Sequence, residues 1–226
     1  MLFASTLLEY VEASGDRQTA MDLYPIAAKQ FTFFAANFTS DLQYKIPTRD
    51  MVDGGAGWHF VDCESVVAIV YTYSTHTVRS IGEPTLNKEA AEHSIMIYGL
   101  KTVQSLAHLL QLQEPTYSVG STLRNEPVST VITKLREANR AHYYDENQRV
   151  FVSGADKQIS WASNAWAIIA GVIEEQDIGR QALTIAYTQE GSVPGMTPYL
   201  HHYVRLDERR LIRRRLKLTL GICLGC

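Results

Sequence analysis

Three places in this chain set aromatic rings beside hydrogen-bonding side chains. Trp58, His59 and Asp62 follow a glycine-rich run at Gly54, Gly55 and Gly57. Tyr199, His201, His202 and Tyr203 cluster behind Pro198, and Trp161 and Trp166 lie on a nearly uncharged segment. A ring face beside carboxylates, imidazoles and phenols suits a polyhydroxylated ligand, because the ring covers its apolar face while the polar groups bond its hydroxyls. Loops rich in glycine are where binding residues concentrate. The two tryptophans are five residues apart, about 140° round a helix, so they cannot both face one ligand. Trp161 is assigned to the pocket and Trp166 to packing. Adjacent His201 and His202 point to different sides of a helix, so one reaches a pocket and the other a neighbour. No glutamate completes a metal-binding helix pattern around them, and no metal or cofactor is expected. Glu89 and Glu92, three apart at a helix start, read as first-turn carboxylates favoured by the helix dipole.

The elements that must carry these residues are mostly helical. Apolar spacing and punctuation predict helices over 2–14, 17–37, 87–112, 128–142, 157–174 and 177–189, with a last one from Pro198. Gly15 suits a C-terminal cap and Asp16 the next N-cap, so the first two helices form an antiparallel hairpin. Pro25 within the second helix implies a kink or a later start, and Pro127 suits a first turn. Residues 64–81 read as strand, and 149–153 as a short extended piece. The reading is all-α, built from hairpins, with no repeat period of a solenoid.

Composition bounds the function. With 226 residues, 46% hydrophobic and 20% charged, the chain is long enough for one full core. A net charge of −3 gives no reason to expect nucleic acid or an anionic membrane as partner. The arginines between Arg209 and Arg215 are a local exception, read as a solvated tail. Three cysteines make no disulfide framework, and Cys223 with Cys226 lacks the second pair a zinc site needs. No segment suits a membrane span, and the start, with Glu9 where an apolar run should continue, is not a signal peptide. As written, the chain is expected in the cytoplasm.

Four segments, in order, resemble the catalytic domain of α-L-rhamnosidases, glycoside hydrolase family 78. They are Gly-Trp-His-Phe-Val-Asp at 57–62, Leu-Asn-Lys-Glu-Ala-Ala-Glu-His-Ser-Ile-Met-Ile-Tyr-Gly-Leu at 86–100, the stretch from Phe151 through Trp166, and Thr-Pro-Tyr-Leu-His-His-Tyr at 197–203. The resemblance implies an (α/α)6 toroid of six helical hairpins around a pocket that releases terminal L-rhamnose with inversion. It implies rhamnose contacts from Trp58, His59, Asp62, Trp161, Tyr199 and His201, with Asp62 a partner for sugar hydroxyls. Inversion needs a carboxylic acid and a carboxylate on opposite faces of the sugar. In the family the acid precedes the hairpin that begins this chain, and the base follows the segment where the likeness ends. The expectation is therefore an incomplete toroid over 1–204, without its catalytic pair and without turnover. Residues 63–82 form a non-matching insert, and 205–226 a divergent tail, both read as out-of-frame or unspliced sequence. Two other readings stand beside this one: another six-hairpin glycosidase of glucoamylase or unsaturated uronyl hydrolase type, and a non-catalytic helical scaffold that binds a protein or peptide.

Overall fold

The computed structural model describes residues 2–44, 62–63, 80–81 and 89–194, the two dipeptides by backbone alone. Six helices run through the described residues: α1 Phe3–Ser14, α2 Arg17–Ala35, α3 Ala90–Leu109, α4 Val128–Tyr143, α5 Trp161–Ile169 and α6 Gln176–Thr188. Short antiparallel strands join them. β1 Asp62–Cys63 pairs with β2 Ser80–Ile81, β3 Thr116–Val119 with β4 Leu123–Pro127, and β6 Val150–Ser153 lies between β5 Tyr144–Asp145 and β7 Gln158–Ile159.

The first hairpin forms as its sequence demands. Gly15 takes φ 73° and donates its N–H to Val11 O at 2.9 Å, closing α1. Asp16 then accepts from Thr19 N at 3.0 Å to open α2. The turn needs a residue without Cβ, followed by one with a short acceptor. Pro25 neither ends nor delays α2, which runs continuously from Arg17.

α3 is the axis of the molecule. Fourteen of its twenty residues are buried; its first half is buried nearly all round, its second half shows only a narrow outer stripe at Lys101, Gln104, Ser105 and His108, and it packs on α1, α2, α4 and α5. Met96, Ile97, Leu100, Val103 and Leu106 form the middle of the main core. A second cluster surrounds Trp166 on α5 and includes Ala91, Ile95 and Leu183. The third is small and lies where Val150, Val152 and Ile159 of the sheet meet Ala186 of α6. A helix buried nearly all round is stable only inside such a shell.

The structure shortens two predicted helices. α5 occupies 161–169 of the expected 157–174. At its start, Gln158 and Ile159 pair with β6, and Ser160 caps the helix by accepting from Ser163 N at 3.0 Å. At its end, Gly171 takes φ 74°, its N–H bonds Ile168 O at 2.9 Å, and Val172 N bonds Ala167 O at 2.8 Å. This Schellman arrangement stops the helix although the residues beyond stay apolar. α3 ends similarly at Leu109, through Gln111 at φ 59°.

The all-α expectation is met as a helix-dominated fold with added short strands. The β3–β4 hairpin was not expected: Thr116–Val119 alternates over four residues only, and Leu123–Pro127 does not alternate. It is held from outside: Gly120 N donates to Ala35 O at 3.0 Å, and Tyr117 Oη to Ala28 O at 3.0 Å. A Cβ at Gly120 would sit 2.9 Å from the carbonyl oxygens of Phe38 and Thr39, so the close approach to the end of α2 admits only glycine. Of the strand expected over 64–81, β2 is seen at 80–81; 64–79, the helix expected from Pro198 and the tail 205–226 lie outside the described residues. No helix among the described residues is long and apolar enough to cross a membrane.

Candidate functional site

The starts of α3 and α5 meet at one buried polar junction. Glu89, in extended conformation, caps α3 and accepts from Glu92 N. Ser153, at the end of β6, accepts from Ala90 N at 3.0 Å and donates to Glu89 Oε1 at 3.3 Å. The same hydroxyl lies 3.3 Å from Ser163 Oγ, which accepts from Ser160 Oγ at 2.8 Å. One serine thereby ties two helix N-termini together. None of the five side chains is more than 4% exposed. Two positive helix ends directed at this cluster favour the negative charge it contains.

The charge is nonetheless costly to bury. Burial raises the Glu89 carboxyl to about 7, the nearby Glu92 adds to the effect, and the hydrogen bonds from the Glu92 and Ala91 backbone oppose it. Tyr44 and Tyr143 close the junction from the side. Their phenols are pushed up, chiefly by burial and then by Glu92 and Glu89 respectively. Tyr143 Oη donates to Tyr44 O at 3.3 Å, and Glu89 N donates to the same carbonyl at 3.4 Å. Tyr44 and Glu89 are thus adjacent in space although 45 residues of sequence separate them.

His93 is a core histidine. It is fully buried, edge-on to Phe38 at 5.1 Å and Tyr143 at 5.5 Å, and burial holds its pKa down at about 3, so it is neutral. No group of His, Cys, Asp or Glu among the described residues could hold a metal ion.

Trp161 occupies the first position of α5, partly exposed, with its ring 4.7 Å from that of Tyr187. Its N–H donates to Val193 O at 3.0 Å, and Val193 N donates to Ile159 O at 2.9 Å. Val193, one residue before the end of the described segment, therefore lies beside Trp161. Trp166 is fully buried, 5.7 Å from Tyr98. The division of the two tryptophans between rim and core follows from their 140° separation.

Among the expected contact residues, Trp161 is described in full and Asp62 by backbone, in β1 opposite Ile81. Trp58, His59, Tyr199 and His201 lie outside the described residues. The residues missed by sequence reasoning are Ser153, Ser160, Ser163, Tyr44 and Tyr143. The Ser160 to Ser163 spacing ahead of an apolar run was a legible cap signal. Nothing local marked Ser153 as the link between helices.

Glu92 is a first-turn residue, as expected, whereas Glu89 stands one position before the helix as its cap. They do not form an inverting pair. Glu89 is bonded to the Glu92 backbone and neither side chain has room beside it, whereas inversion needs carboxyls about 6.5–9.5 Å apart with a sugar and water between them.

No protein-family model matches the chain, and no curated protein matches it. Two solved structures share its fold. A rhamnosidase from Klebsiella oxytoca with rhamnose bound superposes with a TM-score of 0.67 at 22% identity, covering 96% of this chain and 35% of that one. A GH78 family rhamnosidase of Bacillus sp. GL1 gives 0.64 at 14% identity, covering 98% and 21%. The chain spans about a third or less of either neighbour. At these identities the likeness is one of fold: a GH78-like helical architecture.

Proposed function

We propose that this chain supplies part of the pocket wall of an α-L-rhamnosidase-like domain and binds a terminal L-rhamnose unit. The single observation behind this reading is the convergence of the α3 and α5 starts, with Trp161 on their rim, in a fold shared with a rhamnosidase that holds rhamnose. In this reading the ring of Trp161 covers the apolar face of the sugar. Trp58, His59, Asp62, Tyr199 and His201 supply hydroxyl contacts from the two segments that leave the described core at Tyr44 and beyond Val193. The buried junction keeps both helix starts in place, so the wall is preorganised before ligand arrives. The helices belong to an (α/α)6 toroid that this chain fills only in part.

Binding and turnover are separable here. Glu89 is committed to capping α3, the Glu92 carboxylate bonds to Tyr44, and the catalytic pair of the resembled family has no match in residues 1–204. The chain alone is therefore a binding unit with negligible hydrolytic activity. Titration calorimetry with methyl α-L-rhamnoside tests the first half. Binding that Trp161→Ala weakens by about tenfold or more is expected, with no response to methyl glucoside or to an unsaturated uronide. Equal affinity for the three sugars would overturn the rhamnose assignment. Incubation with a nitrophenyl α-L-rhamnoside tests the second half. Robust release of nitrophenol, abolished by Asp62→Asn, would place a catalytic acid in this chain and refute the inactivity.

A further inference from the structure

The outward side of α2 carries a pattern that the sugar site does not use. Asp22, Ile26, Lys29, Phe33 and Ala36 recur in steps of four and three, the spacing by which one helix lies along another. All five are exposed, as is Pro25 beside them. Ile26 and Phe33 are the two most exposed large apolar side chains among the described residues. We propose that this stripe is a homodimer surface, on which α2 of a second copy of the chain packs antiparallel. The inference does not rest on the sugar reading.

Charge selects both the partner and the direction. Asp22 and Lys29 stand about 20° apart round the helix and roughly 10 Å apart along it. Asp22 accepts from Gln18 Nε2 at 2.9 Å, and neither Asp22 nor Lys29 makes an ion pair among the described residues. Two copies lying parallel would set Asp22 against Asp22 and Lys29 against Lys29. Turned antiparallel about a twofold axis through Ile26, each Asp22 meets the partner's Lys29, because the two lie four and three residues from the axis on opposite sides. A twofold interface is self-complementary and makes that contact twice. A foreign acidic or basic peptide would satisfy only one of the two charges, whereas a second copy satisfies both.

The apolar residues fit the same arrangement. Ile26 is the midpoint of α2, Arg17–Ala35, so the helices overlap along their whole length of about 28 Å. Each Phe33 falls over the first turn of the partner's helix. Tyr10 stands at that end of the stripe, 42% exposed, with its phenol donating to Asp16 Oδ2 at 2.8 Å. The contact thereby covers Tyr10, Pro25, Ile26 and Phe33 of both copies. One helix pair buries less than the roughly 1,600 Å² of a standard interface, so the dimer is a weak, micromolar one.

Sedimentation equilibrium on the full chain at micromolar concentrations is the test. Asp22→Lys alone and Lys29→Asp alone should each weaken association about tenfold, since each turns two attractive pairs into two repulsive ones. Mixed in equal amounts, the two variants should associate within about twofold of the parent, because each carries the charge the other lacks. Helical circular dichroism should stay at the parent's level throughout. Added salt should weaken the parent's association, whereas strengthening by salt would mean that like charges meet and would overturn the antiparallel direction. Undiminished association in either single variant, or a mixture no more associated than its components, overturns the pairing of Asp22 with Lys29. A parent that stays monomeric overturns the homodimer. If Ile26→Lys, Phe33→Lys then lowers its melting temperature, residues of the same chain cover the stripe instead.

Discussion

Glu89 shows how a capping residue becomes a liability when a helix start is driven into the interior. Its carboxyl is raised to about 7 in the folded chain, against 4.5 for an ordinary glutamate. The folded state thus holds the proton more tightly than the unfolded one. The stabilising contribution is present in full below about pH 4.5 and is lost as pH rises through 7, amounting to on the order of 3 kcal/mol. Asp16, Asp41 and Asp145 act in the opposite sense. Their hydrogen bonds, chiefly from Thr19, Thr39 and Lys157 respectively, hold their carboxyls at about 2, so their contribution is lost only in strong acid. Stability should therefore peak in the mildly acidic range and fall towards pH 8. Glu89→Gln keeps the cap oxygen and removes the titration. Thermal melts should show the variant several degrees more stable than the parent at pH 8 and no more stable at pH 5. A uniform gain at both values would mean that burial of charge is not what limits the parent.

The element that organises the rim is α5 with the strand beside it. Asn164 is fully buried and clamps them together. Its Oδ1 accepts from Phe151 N at 2.9 Å, and its Nδ2 donates to Phe151 O at 3.2 Å and Ser160 O at 2.9 Å. Asn164→Leu would take the side-chain partner from the Phe151 amide and carbonyl in the interior, while the Ser160 carbonyl keeps the residue 164 N–H at 3.4 Å. Each such group costs about 1–3 kcal/mol, so a loss of several kcal/mol is expected in chemical denaturation. Hydrogen exchange should reveal where the damage falls: faster exchange at Phe151 and across α5, with α1 and α2 little changed. Exchange that rises evenly over the whole chain would show that α5 is not held locally by this clamp. The asparagine was visible in the sequence as one more polar residue among alanines. Its partner 13 residues upstream depends on β6 turning back under α5, which only the assembled sheet arranges.

At the scale of the molecule, α2 presents an apolar outer face. Ile26 is 55% exposed and Phe33 66%, seven residues apart and hence on the same side. A face of this kind normally lies against another surface. Copies of the chain are therefore expected to associate through it. Sedimentation velocity should show self-association at micromolar concentration, relieved in the double variant Ile26→Lys, Phe33→Lys with helical circular dichroism unchanged. A monomeric parent with a sharp cooperative melt contradicts this.

Local order was legible because local rules govern it. The caps at Gly15 and Asp16, the helical spacing of 90–109 and 128–143, and the angle between Trp161 and Trp166 all follow from short-range geometry. So did the assignment of Glu89 and Glu92 to a helix start rather than to proton transfer. The end of α5 was not legible, since Gly171 stops a helix whose residues stay apolar past the stop, and α3 stops a turn short of the apolar spacing that reaches Leu112. The β3–β4 hairpin depends on contacts to α2 between residues 85 and 89 positions apart, which no local pattern encodes. The same holds for the junction. The sequence determined that helices start near Glu89 and near Trp161 and that the two tryptophans face different ways. Only the tertiary structure decided that Ser153 joins those starts and that Glu89 is sealed from water, because burial belongs to the neighbours that packing brings and not to the residue itself.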